Sequence, residues 1–337
     1  MSRRTLVGAV LVAVIIWFVV IVGPTLTSSV TPSPSAAPSP SPAPTPAASQ
    51  TVALSGPASP AGTSATVGPS PSAAMTHVWW IAMENHEYGS IVGDPAAAYL
   101  NSLAARYGVA TDYHATGHPS EPNYIAMVAG ATLGVTTDGV YDLTAPSLFS
   151  QLADAGLPWR AYEQGYPGGC FTGDDHHGGV DGPGASGTYV RKHDPAISFT
   201  SVSRIPAQCA DIQPLGAFEP AVGAFEFITP NLINDMHDGT VAQGDAFLRA
   251  FVPMIVDSAA FRSGGVLFIT FDEGTSNAGA QGDSGGHVAT FIVASGMQPG
   301  LRDTAYADHY SLLHTAEQLL GLPCLAGSCS RGLLAIR

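Results

Sequence analysis

The hydrophobic and polar positions divide this 337-residue chain into three regions. Two arginines precede an apolar run over 6–23, a proline-rich stretch fills 24–75, and short apolar runs alternate with amphipathic segments over 76–337. A signal-peptide core is about 7–15 residues long and a membrane span about 20, and the apolar run lies between these lengths. Residues 1–23 are therefore predicted to be a signal anchor or a signal peptide. The protein is expected to be extracytoplasmic, either membrane-anchored or secreted.

The proline-rich stretch over 24–75 is predicted to be a disordered linker. It contains 12 of the 27 prolines of the chain and no Asp, Glu, Lys or Arg. Such a segment buries too little apolar surface to offset the chain entropy that is lost on folding. We expect an extended spacer that holds the following domain away from the membrane or cell wall.

Residues 76–337 are predicted to be one domain in which buried strands alternate with helices. Continuous apolar runs between helices indicate an α/β fold, with a mainly parallel sheet sandwiched by helices. The glycine-rich stretch 163–223 is expected to be an inserted loop or a cap over the functional site. The predicted strands are 77–83, 159–162, 224–229, 266–271 and 288–294. The predicted helices are 94–107, 121–129, 146–155, 240–261 (bent or broken near Pro253) and 309–320.

Composition disfavours two classes of protein. Hydrophobic residues make up 45% of the chain, which is too many for a wholly disordered protein. Acidic residues outnumber basic residues by 26 to 12, which gives a net charge of −14. A nucleic-acid-binding protein is therefore not expected, because neutralising phosphates needs a basic face.

The four cysteines are predicted to form two disulfides, because an even number is typical of exported chains. A local pairing joins Cys324 to Cys329 across a short glycine-containing loop, which leaves Cys170 to pair with Cys209. A zinc site at the cysteines is disfavoured, because the sequence has no CxxC pair and no cluster of Cys with His.

Polar side chains directly follow two of the predicted strands. Glu84 and Asn85 come after the first strand, and Asp272 and Glu273 come after 266–271. Ligands of an open parallel sheet bind at the carboxyl ends of its strands, so these side chains are expected to meet. Carboxylates held together repel one another, and a divalent cation such as Mg²⁺, Ca²⁺, Mn²⁺ or Zn²⁺ removes the repulsion. A divalent metal site is predicted, with ordinary polar strand-end residues as the alternative.

Ser120 directly precedes a predicted helix, within the sequence HPSEPNY of residues 118–124. Serine is a preferred N-cap and proline favours the first helical turn, so a capping role alone is one interpretation. A hydroxyl at a helix N-terminus also lies where free amides bind phosphate, and a nearby metal ion lowers its pKa. The two roles are compatible, and Ser120 is the candidate nucleophile.

The loop after strand 224–229 is unusually polar, with two Asn, two Asp and one His between 231 and 238. A series of Asx turns and helix caps is one interpretation. The functional interpretation makes His237 a general acid or a phosphate ligand, oriented by a nearby carboxylate.

Other basic side chains near these segments differ in their expected roles. Arg191 or Lys192, in the one compact basic cluster of the domain, is a candidate for holding an anion. His118 adjoins the candidate nucleophile. His309 and His314 lie on the last predicted helix and are expected to be structural.

Six motifs occur in an order that resembles one protein family. Each motif alone is modestly specific, but together they span nearly all of 77–323. The chain resembles the bacterial phosphoesterase family of secreted acid phosphatases and phospholipase C enzymes, within the alkaline-phosphatase superfamily, and in particular its compact acid phosphatases. The motifs are MENHEYGSIVG (83–93), HPSEPNY (118–124), VRKHDP (190–195), TPNLINDMHDG (229–239), ITFDEG (269–274) and HYSLLHTAEQLLGLP (309–323).

The resemblance implies an alkaline-phosphatase-like fold and assigns roles to individual residues. Ser120 matches the nucleophile, which also touches the metal. The catalytic histidines that it implies, around the phosphate, are His118, His193 and His237. The implied metal ligands are Glu84, Asn85, Ser120, Asp272 and Glu273. The predicted substrate-binding residues are Asn85, Asn123, Arg191 and Asp238.

The predicted function is that of an exported, metal-dependent acid phosphatase that hydrolyses phosphate monoesters through a serine nucleophile. Its substrate is expected to be a phosphorylated small molecule or a lipid head group, with membrane contact through the N-terminal segment if that segment is not cleaved. The alternative enzymes are a phospholipase C-like phosphodiesterase and a phosphoinositide phosphatase. The alternative from another class is a non-catalytic surface module on a proline-rich stalk.

Overall fold

The computed structural model describes residues 77–179, 187–275 and 285–336. The predicted signal segment, the predicted linker and the boundary at residue 76 lie outside these residues and stay predictions. Within the described ranges, no helix combines the length and the apolar character that crossing a membrane requires.

The described residues form alternating strands and helices, as the sequence pattern predicts. The strands are β1 (Val78–Met83), β2 (Gly108–Ala110), β3 (Tyr113–His114), β4 (Trp159–Glu163), β5 (Asp175–Gly179), β6 (Gly187–Val190), β7 (Ile212–Pro214), β8 (Phe225–Thr229), β9 (Val266–Phe271), β10 (Thr290–Ala294), β11 (Leu301–Asp303) and β12 (Ala307–Asp308). The α-helices are α1 (Tyr88–Ile91), α2 (Ala98–Arg106), α3 (Ser120–Ala129), α4 (Leu148–Asp154), α5 (Thr200–Ser203), α6 (Pro206–Cys209), α7 (Val241–Val256), α8 (Ala259–Arg262) and α9 (His309–Leu320).

The central sheet has eight strands in the order β11-β2-β10-β9-β1-β8-β4-β7. Strand β1 lies at its centre and runs parallel to both neighbours, β9 and β8. Strand β10 is antiparallel to β9 and β2, whereas the other adjacent strands are parallel. The prediction of an α/β fold with a mainly parallel sheet is therefore confirmed.

The apolar runs of the sequence correspond to strands that are covered on both faces. Every residue of β1, β8, β9 and β10 is buried. Successive side chains of a strand point to opposite faces, so complete burial requires cover on both sides and explains why these runs do not alternate with polar residues. Helix α3 packs against α9, and α2 packs against α7.

Of the two predicted alternatives, a break near Pro253 is wrong, because α7 continues through this residue to Val256, and a bend stays a prediction. Proline removes one backbone hydrogen bond from a helix. The apolar side of α7, which includes Leu248, Phe251 and Ile255, is buried and stabilises the helix across that position. The chain turns instead at 257–258, before α8 begins.

The stretch 163–223 is more regular than predicted. It contains the antiparallel pair β5–β6 and several short helices, and its strand β7 joins the central sheet beside β4. Elements this short show no hydrophobic periodicity from which the sequence could predict them. Both predicted disulfides are present: Cys170 is bonded to Cys209, and Cys324 is bonded to Cys329.

Candidate active site

The carboxyl ends of β1 and β9 bring predicted site residues together. The two strands are parallel, and their last residues, Met83 and Phe271, are paired in register. Glu84 and Asp272 therefore leave the sheet side by side. The backbone N–H of Asn85 donates to Asp272 Oδ1 at 3.1 Å. The strand ends meet as the parallel topology predicts.

Ser120 is the first residue of α3, and Pro119 holds the N-cap position without a side-chain cap. The interpretation of Ser120 as an N-cap is therefore wrong. Its hydroxyl lies instead within hydrogen-bonding distance of Glu84 Oε2, at 3.2 Å, and of Glu273 Oε1, at 3.4 Å. The side chain is almost completely buried, so the candidate nucleophile lies against two of the predicted metal ligands.

A third strand end adds Asp235, which was not among the predicted site residues. Asp235 lies in the loop after β8, the parallel neighbour of β1, and its carbonyl accepts the N–H of Glu84 at 2.9 Å. Its side chain is fully buried, and Oδ1 accepts the N–H of His237 at 2.7 Å. The strand-end argument that selects Glu84 also points to the polar loop after β8, but it does not single out Asp235 within that loop.

Glu84, Asp235 and Asp272 are fully buried carboxyl groups in one pocket. Burial raises the pKa of Glu84 well above its usual value, and the charges of Asp272 and Asp235 raise it further. Burial also raises the pKa of Asp235, and burial with the charge of Glu273 raises the pKa of Asp272 to about 7. Three such groups do not stay ionised together at neutral pH without a compensating positive charge.

His193 lies between two of these carboxyl groups. Its Nε2 is 3.3 Å from Glu84 Oε1, and its Nδ1 is 3.6 Å from Asp235 Oδ2. The ring stacks on Tyr124 with 5.0 Å between ring centroids, and Tyr124 donates its hydroxyl to Glu84. Burial lowers the pKa of His193 well below its usual value. Burial therefore favours the neutral ring, which has one nitrogen lone pair to offer.

His237 and His118 lie at the more accessible side of this cluster. The His237 side chain is 27% exposed, and its Nδ1 is 2.7 Å from Asp238 Oδ1. Its ring centroid lies 5.7 Å from that of His193. The His118 side chain is 34% exposed and pairs with Glu273 through Nδ1. Both rings can be reached by a ligand, whereas His193 is buried.

The donor atoms of the cluster fit a divalent cation. One ligand atom each from Glu84, His193 and His237 lies within 4.8 Å of the others. Leaving a buried polar atom unpaired costs about 1–3 kcal/mol, and coordination to a cation removes that cost. Carboxylate and amide oxygens suit Mg²⁺, Ca²⁺ or Mn²⁺, and imidazole adds Zn²⁺. The buried atoms of the described residues without a hydrogen-bond partner include Asn85 Oδ1, Asp235 Oδ2, Asp272 Oδ2 and His193 Nε2.

Asn123 holds the loop before Ser120 rather than facing a substrate. Its Oδ1 accepts the N–H groups of Thr116 and Gly117 at 2.8 and 3.0 Å. Its Nδ2 donates to the carbonyls of Gly117 and Pro119 at 2.9 and 3.1 Å. The side chain is fully buried with two bonds on each polar atom, so its predicted substrate-binding role is corrected to a positioning role.

Arg191 is likewise committed to the protein itself. Its guanidinium is buried and donates to the carbonyls of Thr172 and Tyr141 at 2.9 and 2.7 Å. The predicted role of Arg191 in binding substrate is therefore corrected. The neighbouring Lys192 extends its ammonium to Asp138, with 3.0 Å between Nζ and Oδ2.

His309 and His314 have the structural positions expected for them. His309 is fully buried between the carbonyl of Asp272, at 2.6 Å, and the hydroxyl of Tyr113, at 2.9 Å. Burial lowers the pKa of His309 to about 4. His314 bonds the carbonyl of Arg331 at 2.7 Å.

Sequence comparison with known proteins supports the predicted resemblance. The chain is 33% identical over 261 residues to a protein of Mycobacterium tuberculosis (strain ATCC 25618 / H37Rv) named phosphatidylinositol-3-phosphatase, covering 76% of this chain and 81% of that protein. It is 29% identical to a probable acid phosphatase of Kluyveromyces lactis, covering 75% of this chain and 60% of that protein. A solved structure of an alkaline-phosphatase-superfamily protein from Vibrio parahaemolyticus is similar over 74% of this chain and 67% of its own, with 13% identity and a TM-score of 0.49.

The profile of the Phosphoesterase family matches residues 92–323. This range contains all the predicted catalytic, metal-binding and substrate-binding residues except Glu84 and Asn85, which directly follow the central strand β1. The predicted enzyme class, a hydrolase acting on phosphoric ester bonds, is confirmed. The chain belongs to the Phosphoesterase family.

Proposed function

We propose that this protein is an exported phosphatase that hydrolyses phosphate monoesters, with Ser120 as the nucleophile and a divalent cation as cofactor. The observation that carries the proposal is the position of the Ser120 hydroxyl, buried at the start of α3 and within 3.4 Å of both Glu84 and Glu273. A serine with only a structural role has no need of two carboxylates from different strand ends.

The residues proposed to hold the cation are Glu84, Asn85, Ser120, Asp272 and Glu273, with Asp235 and His193 beside them. When bound, the cation supplies the positive charge that keeps the carboxylates ionised and stabilises negative charge on the serine oxygen and the phosphate. The raised pKa values of Glu84, Asp235 and Asp272, and the unpaired oxygens of the last two, support this assignment.

His237 is the proposed general acid that protonates the leaving group. Its Nδ1 is held by Asp238, which leaves Nε2 to face a ligand, and its side chain is partly exposed. His193 is less suited to this role, because it is buried between two carboxyl groups. We assign His193 to positioning and His118, paired with Glu273, to the rim of the phosphate site. Catalysis then rests on placement and charge stabilisation.

A phosphoinositide head group is a second candidate substrate. The similarity to a protein named phosphatidylinositol-3-phosphatase over most of both chains favours it. The predicted N-terminal segment, if it is retained, would hold the domain near a lipid surface. Both candidates use the same site and the same bond cleavage, so they differ in the leaving group alone.

The test compares three substrates with the purified full-length protein: p-nitrophenyl phosphate, bis-p-nitrophenyl phosphate and a phosphatidylinositol monophosphate in vesicles. We expect turnover of the monoester at acid to neutral pH and its loss in Ser120→Ala. The control is Ser258→Ala, because Ser258 caps α8 and contacts none of the site residues named here. Equal turnover of mono- and diester would indicate a phosphodiesterase, and retained activity in Ser120→Ala would contradict the serine mechanism.

A further inference from the structure

Lys192 is the only lysine in the 337-residue sequence, and the other eleven basic residues are arginines. It directly precedes His193, the buried histidine between Glu84 and Asp235. A surface that needs only solubility can use any charged residue. The only lysine of the sequence lies next to a residue of the site, which suggests that its ammonium group has a specific binding partner.

One carboxylate joins Lys192 to the start of the nucleophile helix. Asp138 Oδ2 lies 3.0 Å from Lys192 Nζ, and Asp138 Oδ1 accepts the backbone N–H of Glu121 at 3.1 Å. Glu121 directly follows Ser120 in α3. Pro122, the next residue, has no N–H, so the Glu121 amide is one of few donors at this helix end. The Asp138 carboxylate thus binds both the Lys192 ammonium and a helix amide next to the nucleophile.

Lys192 interacts electrostatically with the buried carboxyl groups of the site. Burial lowers the pKa of Lys192, but the hydrogen bond and charge of Asp138 raise it above its usual value on balance. Glu84 and Asp272 act on Lys192 in the same direction, and Lys192 in turn opposes the raised pKa values of Glu84 and Asp235.

His193, the residue after Lys192, links this region to the nucleophile. His193 is 2% exposed, and its Nε2 lacks a hydrogen-bond partner among the described residues. This nitrogen lies 3.3 Å from Glu84 Oε1, the same carboxylate whose other oxygen is 3.2 Å from the Ser120 hydroxyl. The residue that follows Lys192 is thereby linked to Ser120 through the Glu84 carboxylate.

We propose that Lys192 binds the phosphate oxygens of the substrate and that Asp138 is a built-in competitor anion, which the substrate displaces from Lys192 and from the Glu121 amide. This inference rests on the proposed function and extends it, because it names the residue that binds the anion and the one that tunes its affinity. Arg191, the residue before Lys192, is bound to backbone carbonyls and is therefore not assigned this role.

The ion pair has the properties that displacement requires. The side chains of Asp138 and Lys192 are 34% and 21% exposed, and partly exposed ion pairs contribute little net stability because water screens them. Asp138 lies in the loop between α3 and α4, whose backbone is held separately by Gly139 N–H to Glu121 Oε2 at 2.7 Å and by Arg191 to the carbonyl of Tyr141. The loop therefore keeps its anchors when the Asp138 carboxylate moves aside.

Competition gives the two partners of one ion pair effects of opposite sign. Removing the ammonium with Lys192→Gln should weaken phosphate binding by about 10- to 100-fold, which corresponds to one charge-assisted hydrogen bond. Removing the competing charge with Asp138→Asn should tighten phosphate binding several-fold. Lys192→Arg keeps the charge and should retain most of the affinity. An ion pair that only stabilises the loop gives the same sign in both neutralised variants.

The experiment titrates inorganic phosphate by calorimetry into the full-length, metal-loaded protein that carries Ser120→Ala. Binding is then measured without turnover, so the result does not depend on the proposed reaction. The matched control is the exposed pair of Asp142, four residues after Asp138 in the same loop, and Arg204, at the end of α5, with 2.8 Å between their charged atoms. Asp142→Asn and Arg204→Gln should leave phosphate affinity unchanged.

Opposite shifts in Lys192→Gln and Asp138→Asn support the inference. Weaker binding in Asp138→Asn overturns it, and so does unchanged binding in a folded Lys192→Gln variant. If the wild-type protein fails to hydrolyse p-nitrophenyl phosphate while the two shifts remain opposite, the proposed function fails and the anion site stands. If hydrolysis is observed and both shifts have the same sign, the inference about Lys192 and Asp138 fails alone.

Discussion

The hydroxyl of Ser120 lies 3.2 Å from Glu84 Oε2, although 36 residues separate the two in the chain. The contact forms because Ser120, the first residue of α3, lies beside the end of β1, where Glu84 follows Met83. It joins the candidate nucleophile to the strand ends that offer metal ligands. The predictions below follow from this arrangement and from the buried charges around it.

The metal-free protein should lose stability as pH rises. The pKa of Asp272 is raised from 3.8 to about 7 in the folded state, so folding favours its protonated form. Stability from such a group is complete below the unfolded pKa and is lost as pH rises through the folded pKa. The melting temperature of chelated protein should therefore fall between pH 4 and pH 7, measured by circular dichroism. A saturating divalent cation should reduce this fall, and an identical pH trend with and without the ion would contradict the account.

Asp235→Asn should have opposite effects on the metal-free and metal-bound protein. Removing one of three crowded carboxylates relieves repulsion, so the chelated variant should melt at a higher temperature than chelated wild type at pH 8. The same change should weaken divalent-ion affinity and lower kcat/KM by at least about tenfold. Asp142→Asn, at an exposed position, is the control. It should leave the melting temperature, the divalent-ion affinity and kcat/KM unchanged. Unchanged metal affinity in Asp235→Asn would show that this carboxylate serves only the fold.

Asn123→Ala should lower kcat more than it raises KM, because Asn123 shapes the loop before Ser120 and is not assigned to the substrate. Loss of its buried hydrogen bonds should also cost about 2 kcal/mol in urea unfolding. Asn101→Ala is a control, since Asn101, in α2, also accepts a backbone N–H and donates to several carbonyls. The control should lose similar stability and keep its kcat. A large rise in KM with unchanged kcat in Asn123→Ala would restore the substrate-binding role.

The two disulfides should differ in their contribution to stability. Cys170 and Cys209 are 39 residues apart, whereas Cys324 and Cys329 are 5 apart. In the chain-entropy description, the longer loop contributes about 4 kcal/mol and the shorter about 2 kcal/mol. The Cys170→Ser/Cys209→Ser variant should therefore unfold at a lower denaturant concentration than Cys324→Ser/Cys329→Ser. The reverse order would show that local native contacts outweigh loop closure.

The strand-end argument predicted much of the site, because burial and parallel topology are visible in the apolar runs. Glu84 and Asp272 directly follow clean runs, so their meeting could be foreseen. Asp235 lies six residues after Thr229 ends β8, in a loop of several polar residues, and spacing alone does not show which of them is buried.

The roles of residues in segments without hydrophobic periodicity were the hardest to predict. Arg191 and Lys192 are adjacent on one short 3₁₀ turn, yet one is buried on backbone carbonyls and the other reaches Asp138. The choice between them depends on where the loop carrying Asp138 lies, which is a tertiary contact. The three-residue strands β2 and β7 were missed for a related reason, since their pairing is set by the sheet and not by local pattern.

The central claim, nucleophilic catalysis by Ser120, is tested most directly by trapping the phosphorylated enzyme. Metal-loaded protein is mixed with p-nitrophenyl phosphate, quenched in acid within the first turnover, digested and sequenced by mass spectrometry. The account predicts a phosphate group on Ser120 in wild type and none at this position in Ser120→Ala. A phosphate group found instead on a histidine, or an active enzyme that never carries one on Ser120, would contradict it.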